Sequence, residues 1–192
     1  MFDKKNWEKR AEWGLFQAGG GWCAAAWTPL GLSALVLPRK NEAMALWKIQ
    51  EYLPPLSVGF WERKRERVPG NIQRLIRLAL RGKPFRFRRF DISFLTSFQQ
   101  KILKATGEIP WGQTRSYGWV ARKAGSPWGF RAAGQALTRN PVSVLIPCHR
   151  VIARANRLGG YGGGLDWKIR LLNNEGVTVI GGLVTSYRQE KL

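Results

Sequence analysis

Two short apolar runs, Trp22 to Trp27 and Leu32 to Leu37, stand near the start of the chain and are joined by Thr28-Pro29-Leu30-Gly31. Proline and glycine between such runs spell a tight turn, so this segment is expected to form a β-hairpin. Residues 1–12 before it are polar and charged and are expected to be a frayed or loosely docked start. After the hairpin the period becomes helical. Asn41 caps a helix carrying Ala43, Leu46, Trp47 and Leu53, which Pro54-Pro55 stops. A dense charge run follows from Trp61 to Arg67. A second helix starts at about Asn71, with Ile72, Leu75, Ile76 and Ala79 on one face and Gly82 as its stop. Phe85, Phe87 and Phe90, interleaved with Arg86, Arg88 and Arg89, suggest a final strand of a small α+β module.

Near Asp91 the texture changes. Ser97-Phe98-Gln99-Gln100 fits a capping box and opens a helix with Phe98, Ile102 and Leu103 inward. Two short helices follow. Ser116 caps the first, from Tyr117 to Ala124, and Gly125 ends it. The second runs from about Gly129 to Arg139 and ends at Asn140-Pro141, since proline disfavours helix before it. Paired helices around a Gly/Pro-containing turn predict a helix-turn-helix. Val142 to Ile152 is apolar and expected to be extended. A glycine-rich loop spans Gly159 to Gly164, and Leu165, Ile169 and Leu172 mark a last amphipathic helix ended by Gly176.

Composition narrows the function. At 192 residues the chain can bury a sizeable core. No stretch approaches the ~20 apolar residues of a membrane span. The start, Met1-Phe2-Asp3-Lys4-Lys5, lacks the apolar centre of a secretory signal. Two cysteines make no disulfide framework, and a free thiol suits a reducing compartment. An intracellular location is therefore expected, cytoplasmic in a prokaryote or nuclear in a eukaryote. Thirty-two Lys and Arg against twelve Asp and Glu give +20, a surplus that calls for a polyanionic partner, nucleic acid before membrane.

The chemistry concentrates in Pro147-Cys148-His149-Arg150, which holds the single histidine of the chain. A thiol becomes a strong nucleophile when a neighbour withdraws its proton, and imidazole is the usual partner. Successive side chains of a strand point to opposite faces, so cooperation needs a bend, which Pro147 can supply, and a bridging water. The histidine in turn needs a carboxylate, and Glu108, Asp166 and Glu175 are the three acids between Ile92 and Val184. Two cysteines and one histidine cannot make a four-ligand zinc site, so no metal and no cofactor is expected. Cys23, inside an apolar run, is expected to be a buried core thiol. The glycine-rich loop lacks the Lys-Ser/Thr ending of a phosphate loop and fits a mobile loop offering Tyr161 for stacking. The helix from Gly129 to Arg139 has mostly small side chains, with Arg131, Gln135 and Arg139 as its few long polar ones. It suits recognition of shape or backbone more than of base sequence.

Together, Asn140-Pro141, Ile146-Pro147-Cys148-His149-Arg150-Val151, the Gly160 to Leu165 loop, Leu171 to Gly176, and Pro110 to Thr114 followed by Ser116-Tyr117 resemble the O6-alkylguanine-DNA alkyltransferase family. The resemblance covers roughly Ser97 to Val177. It implies an α+β fold: a small ribonuclease-H-like N-terminal α/β domain over 1–92, a mostly helical domain with a helix-turn-helix over 93–180, and a tail over 181–192. It implies a monomer that binds double-stranded DNA through the minor groove and flips out an alkylated guanine. The alkyl group of O6-alkylguanine, with O4-alkylthymine a second candidate, then passes once to Cys148 and inactivates the protein. His149 would act through a water as base with Glu175 as its carboxylate, and Asn140 would brace the turn. Arg131 would enter the stack, Tyr117 would help rotate the nucleotide, and Ser116, Gln135 and Arg139 would contact DNA. Pro147, Tyr161, Gly162 and Gly163 would line the pocket. The chain departs from the pattern at Gly162, where some members carry a serine hydroxyl, and at Trp128, Phe130 and Ser143. The alternatives are an alkyltransferase-like binding module that flips damaged bases without reacting, against which Cys148 argues, a helix-turn-helix regulator with an incidental thiol, and a cysteine hydrolase.

Overall fold

The protein is described from a computed structural model, which covers residues 3–53 and 68–186. The Pro54-Pro55 stop, the charge run from Trp61 to Arg67 and the end of the expected tail lie outside the described residues. The chain divides into two compact units. One comprises Met1–Arg77, Arg86–Thr96 and Pro141–Ser143, the other Leu78–Phe85, Ser97–Asn140 and Val144–Leu192. The boundaries thus differ from a simple cut at residue 92, because each unit borrows a segment from the other half of the sequence.

In the first unit, helix α1 (Lys4–Arg10) precedes an antiparallel sheet of β1 (Glu12–Ala18), β2 (Gly21–Thr28) and β3 (Gly31–Arg39), in that order. The start is not frayed, which corrects the sequence expectation. The Asp3 carboxylate accepts from the Asn6 N–H at 3.0 Å and caps α1. Trp7 is buried among Ala11, Trp13, Ala24 and Ala26, with Phe94 edge to face at 5.7 Å. Small alanines on β2 and β3 leave room for these indoles and for Ala45 and Ile49 of helix α2 (Glu42–Tyr52). Burial of one such aliphatic side chain contributes about 1.5–3 kcal/mol. Asn41 caps α2 as its sequence announces, but the buried face is Ala45 and Ile49, and Trp47 stays exposed.

The β2–β3 hairpin forms at the expected turn. Gly31, at φ +155°, is required there, since a Cβ would lie 2.2 Å from the Arg89 carbonyl oxygen. Residues 85–90 do not form the expected strand. Phe90 makes one isolated parallel bridge to Leu32, and Phe87 packs edge to face on Phe90 at 5.0 Å. Residues three apart point to opposite faces of a strand, so that ring contact requires a bent chain.

Helix α3 (Gly70–Leu80) follows as predicted, with Ile72, Ile76 and Ala79 buried. In the second unit, α4 (Ser97–Thr106), α5 (Tyr117–Lys123) and α6 (Phe130–Thr138) pack on one another. Ile102 and Leu103 are buried and Phe98 half-buried. Two-residue strands β4 (Arg115–Ser116) and β5 (Val151–Ile152) pair in parallel, and α7 (Leu165–Asn174) leads into the hairpin of β6 (Thr178–Ile180) and β7 (Leu183–Ser186). The start of the expected tail is therefore a strand. Val184 joins Ile152, Leu158, Leu172 and Val177 in a core cluster, and Gly181-Gly182 make the turn at positive φ. Among the described residues no helix is long and apolar enough to cross a membrane.

Candidate active site

The segment 142–152 is where expectation and structure differ most usefully. It is not one extended strand: Cys148–Arg150 is a turn of 3-10 helix, Val142 makes an isolated parallel bridge to Leu35, and the two-residue strand is Val151-Ile152. Pro147, at φ −81° and ψ 61°, sits at the centre of an inverse γ-turn closed by Cys148 N–H to the Ile146 carbonyl at 2.8 Å. The bend expected of Pro147 is present, so Cys148 and His149 are freed from the opposite-face rule of a strand.

Cys148 is 7% exposed, and the Asn140 amide donates to its sulfur at 3.1 Å and to the Ile146 carbonyl at 3.0 Å. Asn140 thus ties the end of α6 to the turn. A donor aimed at sulfur favours the thiolate over the thiol. His149 is fully buried, and its Nε2 lies 3.0 Å from Glu175 Oε1. Burial pushes His149 below the ordinary imidazole range; Glu175 pulls it back, while Arg150 and Lys168 add to the lowering. The neutral ring with its proton on Nε2 then donates to the carboxylate and leaves the Nδ1 lone pair as acceptor. Nδ1 is buried and has no protein hydrogen-bond partner.

Glu175 caps the C-terminus of α7 and is 3% exposed. Arg150 grips it with both prongs, Nε to Oε2 and Nη2 to Oε1, each at 2.8 Å, and donates through Nη1 to the Ile109 carbonyl at 2.7 Å. Burial alone would raise this carboxyl, but His149 and the Arg150 fork outweigh it and hold it at about 2. Of the three acids left open by the sequence, Glu175 is therefore the one at His149. Glu108 pairs with Lys123 at 3.0 Å on the surface, and Asp166 lies in the first turn of α7.

Two contributors escaped the sequence: Arg150, and above all Lys168. Lys168 sits on α7, fully buried, and donates to the carbonyls of Val151 at 2.7 Å, Leu158 at 2.5 Å and Gly160 at 3.2 Å. Burial lowers it to about 8, against the pull of Cys148. The helical period sets this lysine with Leu171 and Leu172 on the buried side of α7, and the three carbonyls that satisfy it there are a tertiary fact with no local signal. Tyr117 donates from its hydroxyl to the same Gly160 carbonyl at 3.3 Å. Its ring lies against Gly134 of α6 and Gly159, where a Cβ would come within 3.1 Å of it at φ +66°. Burial, with the charge of Cys148, raises the Tyr117 phenol.

The remaining expected residues are more spread out. Ser116 uses its oxygen to accept from Trp119 N–H at 3.1 Å as the cap of α5. Arg131, Gln135 and Arg139 recur every fourth residue on the exposed face of α6, whose other face buries Ala133, Ala136 and Leu137. Pro147 is buried in the turn; Tyr161 and Gly163 are half-buried and Gly162 is exposed. Cys23 is buried on β2, its thiol pushed up to about 12 by burial. Among the described residues no group of three or more His, Cys, Asp or Glu is placed to hold a metal.

Comparison with known proteins places this geometry. A family model of the 6-O-methylguanine DNA methyltransferase DNA-binding domain matches residues 97–177. The methylated-DNA–protein-cysteine methyltransferase of Mycobacterium leprae is 50% identical over 80 residues, 42% of this chain and 48% of that protein. Its counterpart from Methanosarcina acetivorans is 45% identical over 92 residues, 46% of this chain and 59% of that protein. The chain spans about half the length of the curated relatives it matches. Structural likeness reaches further. The crystal structure of Mycobacterium tuberculosis OGT in complex with DNA has a TM-score of 0.66 at 30% identity, covering 86% of this chain and 93% of that one. The O6-methylguanine-DNA methyltransferase of Pyrococcus kodakaraensis, at 20% identity, shares the mixed α/β fold with a TM-score of 0.62, over 87% of this chain and 99% of that one. The chain belongs to the O6-methylguanine-DNA methyltransferase family.

Proposed function

We propose that the protein reverses DNA alkylation directly, taking the alkyl group of O6-alkylguanine onto Cys148 in a single turnover. The observation that carries this is the thiol centre itself. The Asn140 amide points at Cys148 Sγ, and the adjoining His149 is neutral, with Nδ1 available and Nε2 held by an ionised Glu175. His149 Nδ1 takes the thiol proton through a bridging water, and Glu175 steadies the resulting imidazolium. The thiolate attacks the alkyl carbon, the carbon–O6 bond breaks with its electron pair on the guanine, and a proton returns to the base. The S–C bond formed is a stable thioether, so each molecule reacts once. Oxygen-alkylated thymine at O4 presents the same electrophilic carbon and is a second substrate.

The target atom is inaccessible in a stacked duplex, so the guanine is flipped out of it. Helices α5 and α6 form a helix-turn-helix whose slim α6 enters the minor groove, with Arg131 filling the vacated stack and Gln135 and Arg139 contacting the strands. A surface poor in base-reading side chains suits a repair protein that accepts any flanking sequence. Tyr117 turns the nucleotide, and Tyr161, Gly162 and Gly163 line its pocket with Pro147. Because Gly162 lacks a hydroxyl, backbone N–H groups bind O6. The first ninety or so residues form the ribonuclease-H-like domain, and the protein acts as an intracellular monomer.

The test is transfer of labelled methyl from an O6-methylguanine oligonucleotide. One equivalent per protein molecule is expected, with none for Cys148→Ser; repeated turnover, or binding to the damaged strand without transfer, would overturn the proposal.

A further inference from the structure

Beside the thiol centre, strands β4 and β5 border a separate cavity of about 290 Å³ that none of Cys148, His149 or Tyr161 lines. Its wall carries three arginines from three elements: Arg115 of β4, Arg122 of α5 and Arg154 of the turn after β5. No acidic residue lines it. Arg115 is fixed in place, donating to the Thr114 carbonyl at 2.8 Å and to Gln113 Oε1 at 2.7 Å, with its guanidinium 5.7 Å from the Trp119 ring centroid. Arg122 and Arg154 are exposed, and no carboxylate among the described residues pairs with either. The acid nearest in role, Glu108, is taken by Lys123 instead.

Two further observations mark this as a built site. Thr114 lines the cavity, is 6% exposed, and its Oγ1 has no hydrogen-bond partner. Buried hydroxyls are almost always satisfied, so an orphan beside three guanidiniums points to an acceptor that arrives with a ligand. The turn bearing Arg154 holds two successive non-glycine residues in the left-handed region, Ala155 at φ 53° and Asn156 at φ 55°. Such backbone concentrates where a ligand is clamped.

We infer that this cavity is a phosphodiester site for the DNA strand that carries the damaged base, with Arg122 and Arg154 closing on the non-bridging oxygens beside a fixed Arg115. This rests on the proposed function. Guanidinium forks match phosphate oxygens, and a hydroxyl donor such as Thr114 adds a further bond. The volume sits near the lower end of the ~300–1,000 Å³ typical of small-molecule sites, room for a phosphate with its sugar and more than a bare ion needs. Its position fits: Ser116 on the wall precedes Tyr117, and Ile152 lies two residues after the Cys148–Arg150 turn. A strand anchored here would feed its base toward the thiol.

The test pairs two substrates with charge-removing and charge-keeping variants. Affinity for an undamaged duplex is measured against salt for wild type, Arg122→Gln/Arg154→Gln and Arg122→Lys/Arg154→Lys. Methyl transfer is measured from the free base O6-methylguanine, which has no phosphate. The Gln pair is expected to bind duplex roughly tenfold more weakly, with a log–log salt slope shallower by about one to two. The Lys pair should recover the slope, and free-base transfer should be unchanged in both. An unaltered slope in the Gln pair overturns the site, as does an equal loss from the exposed pair Arg86→Gln/Arg88→Gln. If wild type takes methyl from neither substrate, the alkyltransferase proposal itself falls, while the slope comparison still decides the phosphate site.

Discussion

The two cysteines of this chain sit in opposite chemical surroundings. Cys23 lies in the middle of a sheet; its thiol donates to the Ala18 carbonyl oxygen at 3.9 Å, and the positive charge of Arg77 acts on it. Burial there pushes the thiol up to about 12. Cys148 is almost as buried, yet its sulfur receives the Asn140 amide and lies in the field of Lys168. Each sulfur has a cation in its surroundings, so what separates the two thiols is the direction of the hydrogen bond at sulfur. The irregular turn at Pro147 is what makes room for that difference, because a ladder strand offers sulfur no side-chain amide.

The largest expected effect comes from exchanging the two. Cys148→Ser should abolish methyl transfer while leaving duplex affinity within about twofold by fluorescence anisotropy. Cys23→Ala should transfer at the wild-type rate and lose only about 1 kcal/mol in urea unfolding. Transfer lost in Cys23→Ala would break the comparison.

Next is the carboxylate. Glu175→Gln leaves Arg150 buried without a charge partner and removes the support of His149. Loss of about 3–5 kcal/mol in urea is expected, with transfer slowed about 10²-fold or more and DNA binding changed far less. A wild-type transfer rate would show that the proton does not travel through His149. Arg150→Gln should destabilise similarly but slow transfer less, since His149 keeps its acceptor.

The pH dependence separates the two thiol environments by sign. Glu175 is held at about 2 in the folded protein against 4.5 unfolded, so its stabilisation is present above 4.5 and is lost as pH falls through about 2. Buried Lys168 titrates near 8 folded and 10.5 unfolded, so the unfolded state binds more protons in that window and stability rises with pH across it. Cys23 does the reverse. Its folded value of about 12 lies above the ordinary 9, so its contribution, intact below pH 9, is lost as pH rises toward 12. Thermal unfolding from pH 7.5 to 10.5 should show the alkaline rise shrink in Lys168→Met and grow in Cys23→Ala. The same curves in all three proteins would sink both assignments.

The smallest effects concern positioning. Lys168→Met frees the carbonyls of Val151, Leu158 and Gly160. It is expected to slow transfer about tenfold and to speed amide exchange over 158–160. Arg131→Ala should lower transfer from duplex severalfold and leave transfer from free O6-methylguanine unchanged, as the role proposed for it in the vacated stack requires.

Local rules carried much of this fold. Asn41 and Ser116 stand as caps where their side chains predict, and α3 follows its apolar period; α7 forms as expected but leaves Leu165 exposed and buries Lys168, Leu171 and Leu172. The failures have physical causes. One buried indole, Trp7, docks a helix whose other residues are polar, so composition reads it as frayed. Strand β1 has no clean alternation, and β7 follows a diglycine that resembles the start of a tail. Residues 85–90 carry a strand's period but pair ring to ring. At the site, Cys148, His149, Asn140 and Glu175 were all legible, the last three by resemblance or as one of few candidates. Lys168 was not: its spacing from Leu165 and Leu172 puts it on the apolar face, but nothing local announces the three carbonyls that hold a charged group there.

The central claim is that Cys148, and not Cys23, receives one alkyl group. Peptide mass mapping of both cysteines after incubation with excess O6-methylguanine duplex tests it directly. The account predicts one methyl group on the peptide bearing Cys148 and none on the peptide bearing Cys23. An unmodified Cys148 peptide, or methyl on Cys23, would contradict it.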